Sequence, residues 1–255
     1  MSFSRDALLQ ALAALSSASN SPGRYIIAFS GGLDSTVLLH ALSTSASHHG
    51  VPLLAAHIDH GLQAEHAGWA ERCRAMAADN DVEFCSMQVQ VDPQSDQGPE
   101  AAAREARYAA LAKITGPGDW LLSAHHQEDQ AETLLLNLFR GGGPAGLAGI
   151  APLRRFAKGW LARPMLSFSK GTLRDYAALH DLGWIDDPSN QDRGFDRNYL
   201  RHEVLPRIES RWPGAAERLY RSSQIASEAA LMLRDLAAID AEKLGNRPDR
   251  LDIIA

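Results

Sequence analysis

One turn constrains this chain more than any other stretch. The run Tyr25-Ile26-Ile27-Ala28-Phe29 is a short apolar strand, Val37-Leu38-Leu39 lies in an amphipathic helix, and Ser30-Gly31-Gly32-Leu33-Asp34-Ser35 joins them. Two adjacent glycines at a strand-to-helix junction let backbone N–H groups approach a ligand closely, and the helix start favours an anion there. The familiar alternative, G-x-x-x-x-G-K-[ST], sets a lysine beside the terminal phosphates, and this turn has no lysine. Asp34 stands there instead, and a carboxylate repels phosphate unless a divalent cation lies between them. The turn reads as a nucleotide-plus-Mg²⁺ site unlike that of a kinase or GTPase.

Composition frames what surrounds it. With 255 residues, 45% hydrophobic and 22% charged, the chain suits one sizeable α/β domain and an appendage. No apolar run reaches the roughly 18 residues of a membrane span. Ala7 to Leu15 followed by Ser16-Ser17-Ala18-Ser19 has the outline of a weak signal peptide, but Asp6 and Gln10 interrupt it. The spacing of Leu8, Leu12 and Leu15 favours an amphipathic helix packed on the domain. Cys73 and Cys85 form no C-x-x-C pair; they read as packing residues and suit a reducing, cytoplasmic setting.

Charge is divided unevenly. Residues 1 to 150 carry 8 Lys+Arg against 16 Asp+Glu, whereas residues 151 to 255 carry 17 against 15. The cations of the second part are nearly all arginine. An arginine-rich part beside an acidic one fits a polyanion approaching from one side, and a solvated helical face gives the same arithmetic.

Strands alternate with helices along the first two hundred residues. After the first unit, residues 52 to 58 read as a buried strand, 65 to 80 as a helix, 82 to 91 as a strand, 94 to 99 as a polar loop and 100 to 114 as a helix. Residues 120 to 124 then read as a strand and 128 to 139 as a helix. Repeated βα units imply α/β architecture: a doubly wound, Rossmann-like parallel sheet of about five strands, with ligands at the carboxyl ends of the strands. Beyond Pro206 the texture is helical, with Pro213-Gly214 opening a long helix to about Leu244. The division expected is a catalytic domain over 1–212 and a helical connector, or the start of a further domain, over 213–255.

Polar clusters fall at the predicted strand ends. His57-Ile58-Asp59-His60-Gly61-Leu62 follows the second strand; it suits a substrate-lining loop, or a weak zinc site short of a fourth ligand. Ala124-His125-His126-Gln127-Glu128-Asp129-Gln130-Ala131-Glu132-Thr133 crosses from strand to helix, with Asp129 and Glu132 on one helix face. Helix-start acidity explains the charges but not the double histidine. Arg104 and Arg107, one turn apart in Ala101 to Tyr108, are either a charged helix face or a clamp for phosphate or carboxylate. Gly141-Gly142-Gly143-Pro144-Ala145-Gly146 matches G-x-G-x-x-G but follows a helix, so a dinucleotide reading is discarded in favour of a flexible substrate-facing loop.

Ser30 to Ser35 resembles the SGGxDS pyrophosphate loop of the N-type ATP pyrophosphatases. The ordered series of the loop, H-x-D-H-G-L, A-A-A-R-x-x-R-Y, A-H-H-x-x-D-Q-A-E-T-L-L, R-G-x-G, Arg163-Pro164-Met165-Leu166, Asp187-Pro188-Ser189-Asn190 and Arg197-Asn198-x-x-Arg201 is similar, over about residues 24 to 210, to the catalytic domain of the tRNA(Ile)-lysidine synthetase family. The resemblance implies ATP-dependent attachment of L-lysine to C2 of the wobble cytidine of tRNA(Ile) with a CAU anticodon. It implies an adenylated intermediate, with release of pyrophosphate and AMP.

Carried onto this chain, Ser30, Gly31, Gly32, Leu33, Asp34 and Ser35, together with His57 and Asp59, would bind ATP, with Asp34 on Mg²⁺. The resemblance implies His125, Asp129 and Glu132 around lysine and the reacting cytosine, with Arg104 and Arg197 as supporting cations. The family usually has H-H-x-D-D-Q; Glu128 replaces the first aspartate and receives no role. Gln63 stands where arginine is frequent. Oligomeric state is carried by no motif, and a homodimer is left open. A tRNA thiolase of the same superfamily would need catalytic or cluster-binding cysteines that Cys73 and Cys85 are badly placed to supply. A non-catalytic ATP- or tRNA-binding module leaves Asp129 and Glu132 without a purpose.

Overall fold

The computed structural model describes residues 2–17, 21–59, 68–90, 99–188 and 192–243. His60 to Gln63, most of the polar loop read at 94–99, and Ser189-Asn190 lie outside them. The chain forms two compact units, one of residues 1–127 and 151–192, the other of 128–150 and 193–255. This division follows contacts, whereas the boundary read at 212 follows motif content.

The first unit is a six-stranded sheet with strand order β3-β2-β1-β4-β6-β5. Its strands are β1 Arg24–Ala28, β2 Leu53–Asp59, β3 Glu83–Gln88, β4 Asp119–Leu122, β5 Leu153–Phe156 and β6 Gly159–Ala162. All neighbours are parallel except β5 with β6. β1, β2 and β4 read as continuous apolar runs because helices cover both faces of a parallel sheet. On one face Leu38, Leu39 and Leu42 pack with Leu8, Leu12, Phe168 and Leu173. On the other, Ile26, Leu121 and Leu161 pack with Ala110 and Leu111. Each fully buried Leu or Ile contributes about 1.5–3 kcal/mol over an exposed one.

The helices of this unit are α1 Arg5–Ser16, α2 Leu33–Ser43, α3 Ala46–His49, α4 Trp69–Ala78, α5 Pro99–Ile114 and α8 Lys170–Leu179; α6 Gln127–Phe139 begins at its last residue. α1 is the helix expected from the leucine spacing, capped by Ser4, whose Oγ accepts from Ala7 N–H. α2 differs from its sequence reading: eight of its residues are buried, so it is a helix enclosed on most sides rather than amphipathic.

Two strands are also new, since neither β5 nor β6 is among those read from the sequence. β5 and β6 form a hairpin on the sheet edge, in which Arg154 and Arg155 are exposed. Four residues with two adjacent arginines give no strand signal, yet charge on an edge strand blocks pairing with other chains. Gly159 lets β6 start close to β4: a Cβ there would collide with the Asp119 carbonyl oxygen.

The second unit is helical: most of α6, α7 Pro144–Leu147, α9 Asp196–Tyr199, α10 Leu205–Arg211 and α11 Ala215–Lys243. A π-helical turn, Leu200–Val204, joins α9 to α10. Pro206 accounts for it: proline has no N–H to offer the His202 carbonyl and crowds it, so an α-helical register cannot run through. Leu205 N–H bonds Leu200 O instead. Glu209 caps α11, its carboxylate accepting from the Gly214, Ala215 and Ala216 N–H groups.

Candidate active site

In the first unit the Ser30–Ser35 loop leaves β1 and enters α2. Gly31 has φ +78, and a Cβ there would lie 2.8 Å from both Cys73 Sγ and Ile185 Cδ1. Ile185 N–H donates to the Gly31 carbonyl at 2.9 Å, and Trp69 Nε1 to that of Ser30 at 3.1 Å. Inside the loop Ser35 Oγ lies 3.1 Å from Ser30 Oγ and donates to Gly32 O at 3.0 Å. Gly32 is the N-cap of α2 and supplies no side-chain bond to the first turn. The arrangement leaves a helix start without a side-chain cap, which suits an anion.

Asp34 sits in that first turn. Its side chain is 28% exposed, with Oδ2 3.6 Å from Nε2 of the buried His126. Its Oδ1 is buried and has no hydrogen-bond partner. A buried carboxylate oxygen without a donor is costly unless a cation or ligand donor completes it, so the residue fits a divalent ion held against phosphate. Among the described residues no cluster of three or more His, Cys, Asp or Glu could hold a metal by itself. A cation here would take the rest of its shell from phosphate and water.

The other strand ends carry the predicted histidines. His57, buried near the end of β2, has Nδ1 3.0 Å from the Phe29 carbonyl, tying β2 to the start of the loop; Asp59 closes β2. After β4, His125 Nδ1 meets Ser123 Oγ at 2.6 Å, while His126 turns to Asp34.

Arg104 is on α5, its guanidinium 5.4 Å from the Tyr108 ring. Tyr108 also neighbours Arg163, a residue 4% exposed whose Nη1 donates to Ala151 O at 2.6 Å. Burial lowers the Arg163 pKa, and the charges of Arg154 and Arg104 push the same way. Cys73 behaves as the packing residue expected: it is buried against the loop, and burial pushes its thiol up to about 12.

In the second unit α6 presents Asp129 and Glu132, and both meet arginines of the α9–α10 segment. Arg201 donates from Nε to Glu132 Oε1 at 2.7 Å, and from Nη2 to Glu132 Oε2 at 2.9 Å and Asp129 Oδ1 at 3.0 Å. Arg197 donates from Nη2 to Thr133 Oγ1 at 2.7 Å. Its Nε lies 3.2 Å from Glu132 Oε2, but too far off line to make a hydrogen bond. Glu132 is wholly buried, whereas the Asp129 side chain keeps 14% exposure. Burial raises the Glu132 pKa and Asp129 adds to that, while Arg201 and Arg197 pull it down.

The neighbouring Gln130 is structural. It donates to Ser223 Oγ at 2.9 Å and accepts from Ile150 N–H at 2.6 Å, and Asn137 donates to Gly146 O at 2.7 Å. The glycine-rich segment 141–146 is therefore bonded back to α6 and ends in α7, rather than forming the flexible loop expected.

His126, which meets Asp34, and Arg201, which binds both acids, are among the matched-motif residues that the sequence assigns no role. The spacing of Arg197 and Arg201, i and i+4 on a helix, was the available signal.

A model of the PP-loop domain family, an ATP-binding family, matches residues 5–208. The tRNA(Ile)-lysidine synthase of Alkalilimnicola ehrlichii is 47% identical over 93% of this chain and 52% of its own length. That of Pseudomonas aeruginosa is 45% identical over 96% and 54%, and that of Xanthomonas campestris 46% over 84% and 49%. The chain thus spans about half the length of the curated relatives it matches. Among solved structures, the U34-tRNA thiolase NcsA from Methanococcus maripaludis shares the fold, with a TM-score of 0.71 at 15% identity, over 88% of this chain and 79% of that one. No described helix is long and apolar enough to cross a membrane.

Proposed function

The chain belongs to the PP-loop domain family, and from that premise we propose that it ligates L-lysine to C2 of the wobble cytidine of tRNA(Ile) with a CAU anticodon, consuming ATP. Residues 1–212 would hold the catalytic functions and 213–255 a helical connector, and the enzyme would work in the cytoplasm. Its relatives' names support the reading. The observation that carries it beyond ATP binding is the acid pair Asp129 and Glu132, set among arginines on a helix that nucleotide binding does not need.

The reaction has two steps. The cytidine C2 oxygen attacks the α-phosphate of ATP, forming an adenylate and releasing pyrophosphate; the lysine ε-amine then attacks C2 and AMP leaves. Ser30 to Ser35 would receive the phosphates, with the N–H groups of the α2 start facing the charge that grows on the leaving pyrophosphate. Mg²⁺ held by Asp34 would neutralise phosphate charge. His126, beside Asp34, would fix the carboxylate's orientation. His57 would keep the loop at the end of β1, and Asp59, His125 and Arg104 would line the approach of nucleotide and base.

Lysine arrives as an ammonium and cannot attack until it loses a proton. Asp129, the less buried member of the pair, would hold the cation and take that proton. Glu132 would anchor the site from below, with Arg197 balancing its charge. Delivery of sulfur, the chemistry named for the thiolase that shares the fold, asks for a thiolate; burial holds Cys73 far from that state at neutral pH.

The test is incubation of the protein with ATP, Mg²⁺, radiolabelled lysine and tRNA(Ile) bearing CAU, alongside the same tRNA with the wobble cytidine replaced by uridine. Label in the first tRNA alone, with AMP and pyrophosphate formed in step, is expected. No label from folded protein at saturating tRNA refutes the proposal.

A further inference from the structure

The acid pair is not open to solvent in equal measure, and one residue, Arg201, hydrogen-bonds both of its members. Glu132 has no exposed surface, and its two carboxylate oxygens are gripped by the fork of Arg201 at 2.7 and 2.9 Å. The same Nη2 reaches Asp129 Oδ1 at 3.0 Å. A planar guanidinium clamped on two oxygens of a buried carboxylate has little rotational freedom left, so its third bond is aimed. The backbone adds to this, because Arg201 stands in the π-helical turn that Pro206 imposes.

We propose that Arg201 is the positioning residue of the amine site, using the buried Glu132 as a fixed anchor to hold Asp129 in the single orientation that meets the lysine ammonium. This rests on the lysine-transfer reading above. Two carboxylates and the guanidiniums of Arg197 and Arg201 sum to zero charge. A third cation, the lysine ammonium, would therefore be drawn by the local placement of the Asp129 carboxylate and not by a net negative field. Removing Arg201 would leave two acids one helical turn apart with a single compensating arginine. Asp129 would then turn away from Glu132, and the amine would lose its aligned partner. The opposite arrangement is also chemically definable: Arg201 could act as a placeholder that lysine displaces. The two differ in sign.

Lysine and ATP KM values are compared for the wild-type protein, Arg201→Lys and Arg201→Ala in the labelled-transfer assay, with circular dichroism for folding. Loss of one charge-assisted hydrogen bond predicts a lysine KM raised roughly 10- to 100-fold in Arg201→Ala. The ATP KM should stay within about twofold, since no phosphate contact is touched. Guanidinium ion at low millimolar concentration should bring the lysine KM of Arg201→Ala back down, and ammonium ion should not. Arg201→Lys restores charge without the fork and should fall between the two.

An unchanged lysine KM overturns the proposal. So does a lower one, which would identify a placeholder, and so does a folded Arg201→Ala indifferent to guanidinium. Should Arg201→Ala not fold, Arg201→Lys decides: a rise in lysine KM alone supports positioning, and equal rises for lysine and ATP overturn it. A wild-type protein that transfers no lysine takes down both readings, whereas an active wild type with an insensitive variant takes down only this one.

Discussion

Gly31 and Gly32 are neighbours in one loop, yet their replacement by alanine should fail in different ways. Gly31 has φ +78, and its Cβ would meet Cys73 Sγ and Ile185 Cδ1 at 2.8 Å. The left-handed backbone costs an L-residue about 1–2 kcal/mol, and the unfolded-chain gain from Gly→Ala returns about half of that. Forcing a methyl group into packed surroundings adds about 1–3 kcal/mol, because Cys73 is fully buried and cannot withdraw. Gly31→Ala should therefore lose about 1.5–4 kcal/mol, a fall of roughly 3–16 °C in Tm for a chain of this size.

At Gly32 the backbone is extended and a Cβ would meet Ser30 Oγ at 3.4 Å and the Ile185 carbonyl oxygen at 3.9 Å, both ordinary contacts. Gly32→Ala should keep its Tm within about 2 °C. It would still place a methyl group at the α2 start, where phosphate is to approach, and so should weaken ATP binding by at least about tenfold. Thermal unfolding by circular dichroism and calorimetric ATP titration separate the two. The double variant Gly31→Ala, Cys73→Ala splits strain from collision: it should be less damaged than the sum of its parts, because the removed sulfur makes room. If Gly31→Ala melts with the wild type, or if both glycine variants lose stability equally, the assignment of distinct roles fails.

The acids and a half-buried histidine give three further tests. Asp34→Asn should cut ATP–pyrophosphate exchange by on the order of 100-fold while shifting Tm little, since Oδ1 has no hydrogen bond to lose; unchanged exchange would refute the cation role. Asp129→Asn should lower lysine transfer far more than ATP binding, and an equal loss of both would remove it from the amine site. His40 packs with Tyr176, its Nδ1 3.0 Å from the hydroxyl, and its pKa is lowered from 6.5 by burial, then by the charges of His180 and Arg5. A His with a depressed folded pKa stabilises the protein above 6.5 and loses that contribution as pH falls below it. The Tm of His40→Gln relative to wild type should therefore rise on going from pH 7.5 to 5.5, and a constant difference would contradict the burial argument.

The sheet was legible wherever its strands are buried on both faces. Ile26-Ile27 and Leu121-Leu122 are apolar without alternation because helices cover them from either side, and that pattern survives in one dimension. β5 was not legible, since Leu153-Arg154-Arg155-Phe156 is shaped by the needs of an edge and its pairing depends on Gly159 meeting β4. α2 read as amphipathic because Ser35, Thr36 and His40 break its apolar run. The structure buries Ser35 and Thr36 and bonds their hydroxyls to loop carbonyls.

At the candidate site, residue types were legible and their division of labour was not. Spacing on α6 put Asp129 and Glu132 on one face, but only packing determines that one is sealed and the other keeps partial exposure. The double histidine was visible, but which ring meets Asp34 depends on the backbone path between β4 and α6. Arg201 shows the limit most clearly. Its motif was matched, and Arg197 four residues earlier was the arginine given a role. What singles out Arg201 is a register shift around Pro206 and the burial of an acid 69 residues earlier in the chain. Neither leaves a local periodic signal, because both arise when segments distant in sequence pack together. A charged pair that looks like a solvated helix face in the sequence thus becomes a fixed scaffold, and the difference in lysine KM between Arg201→Lys and Arg201→Ala measures how much of its effect is geometry rather than charge.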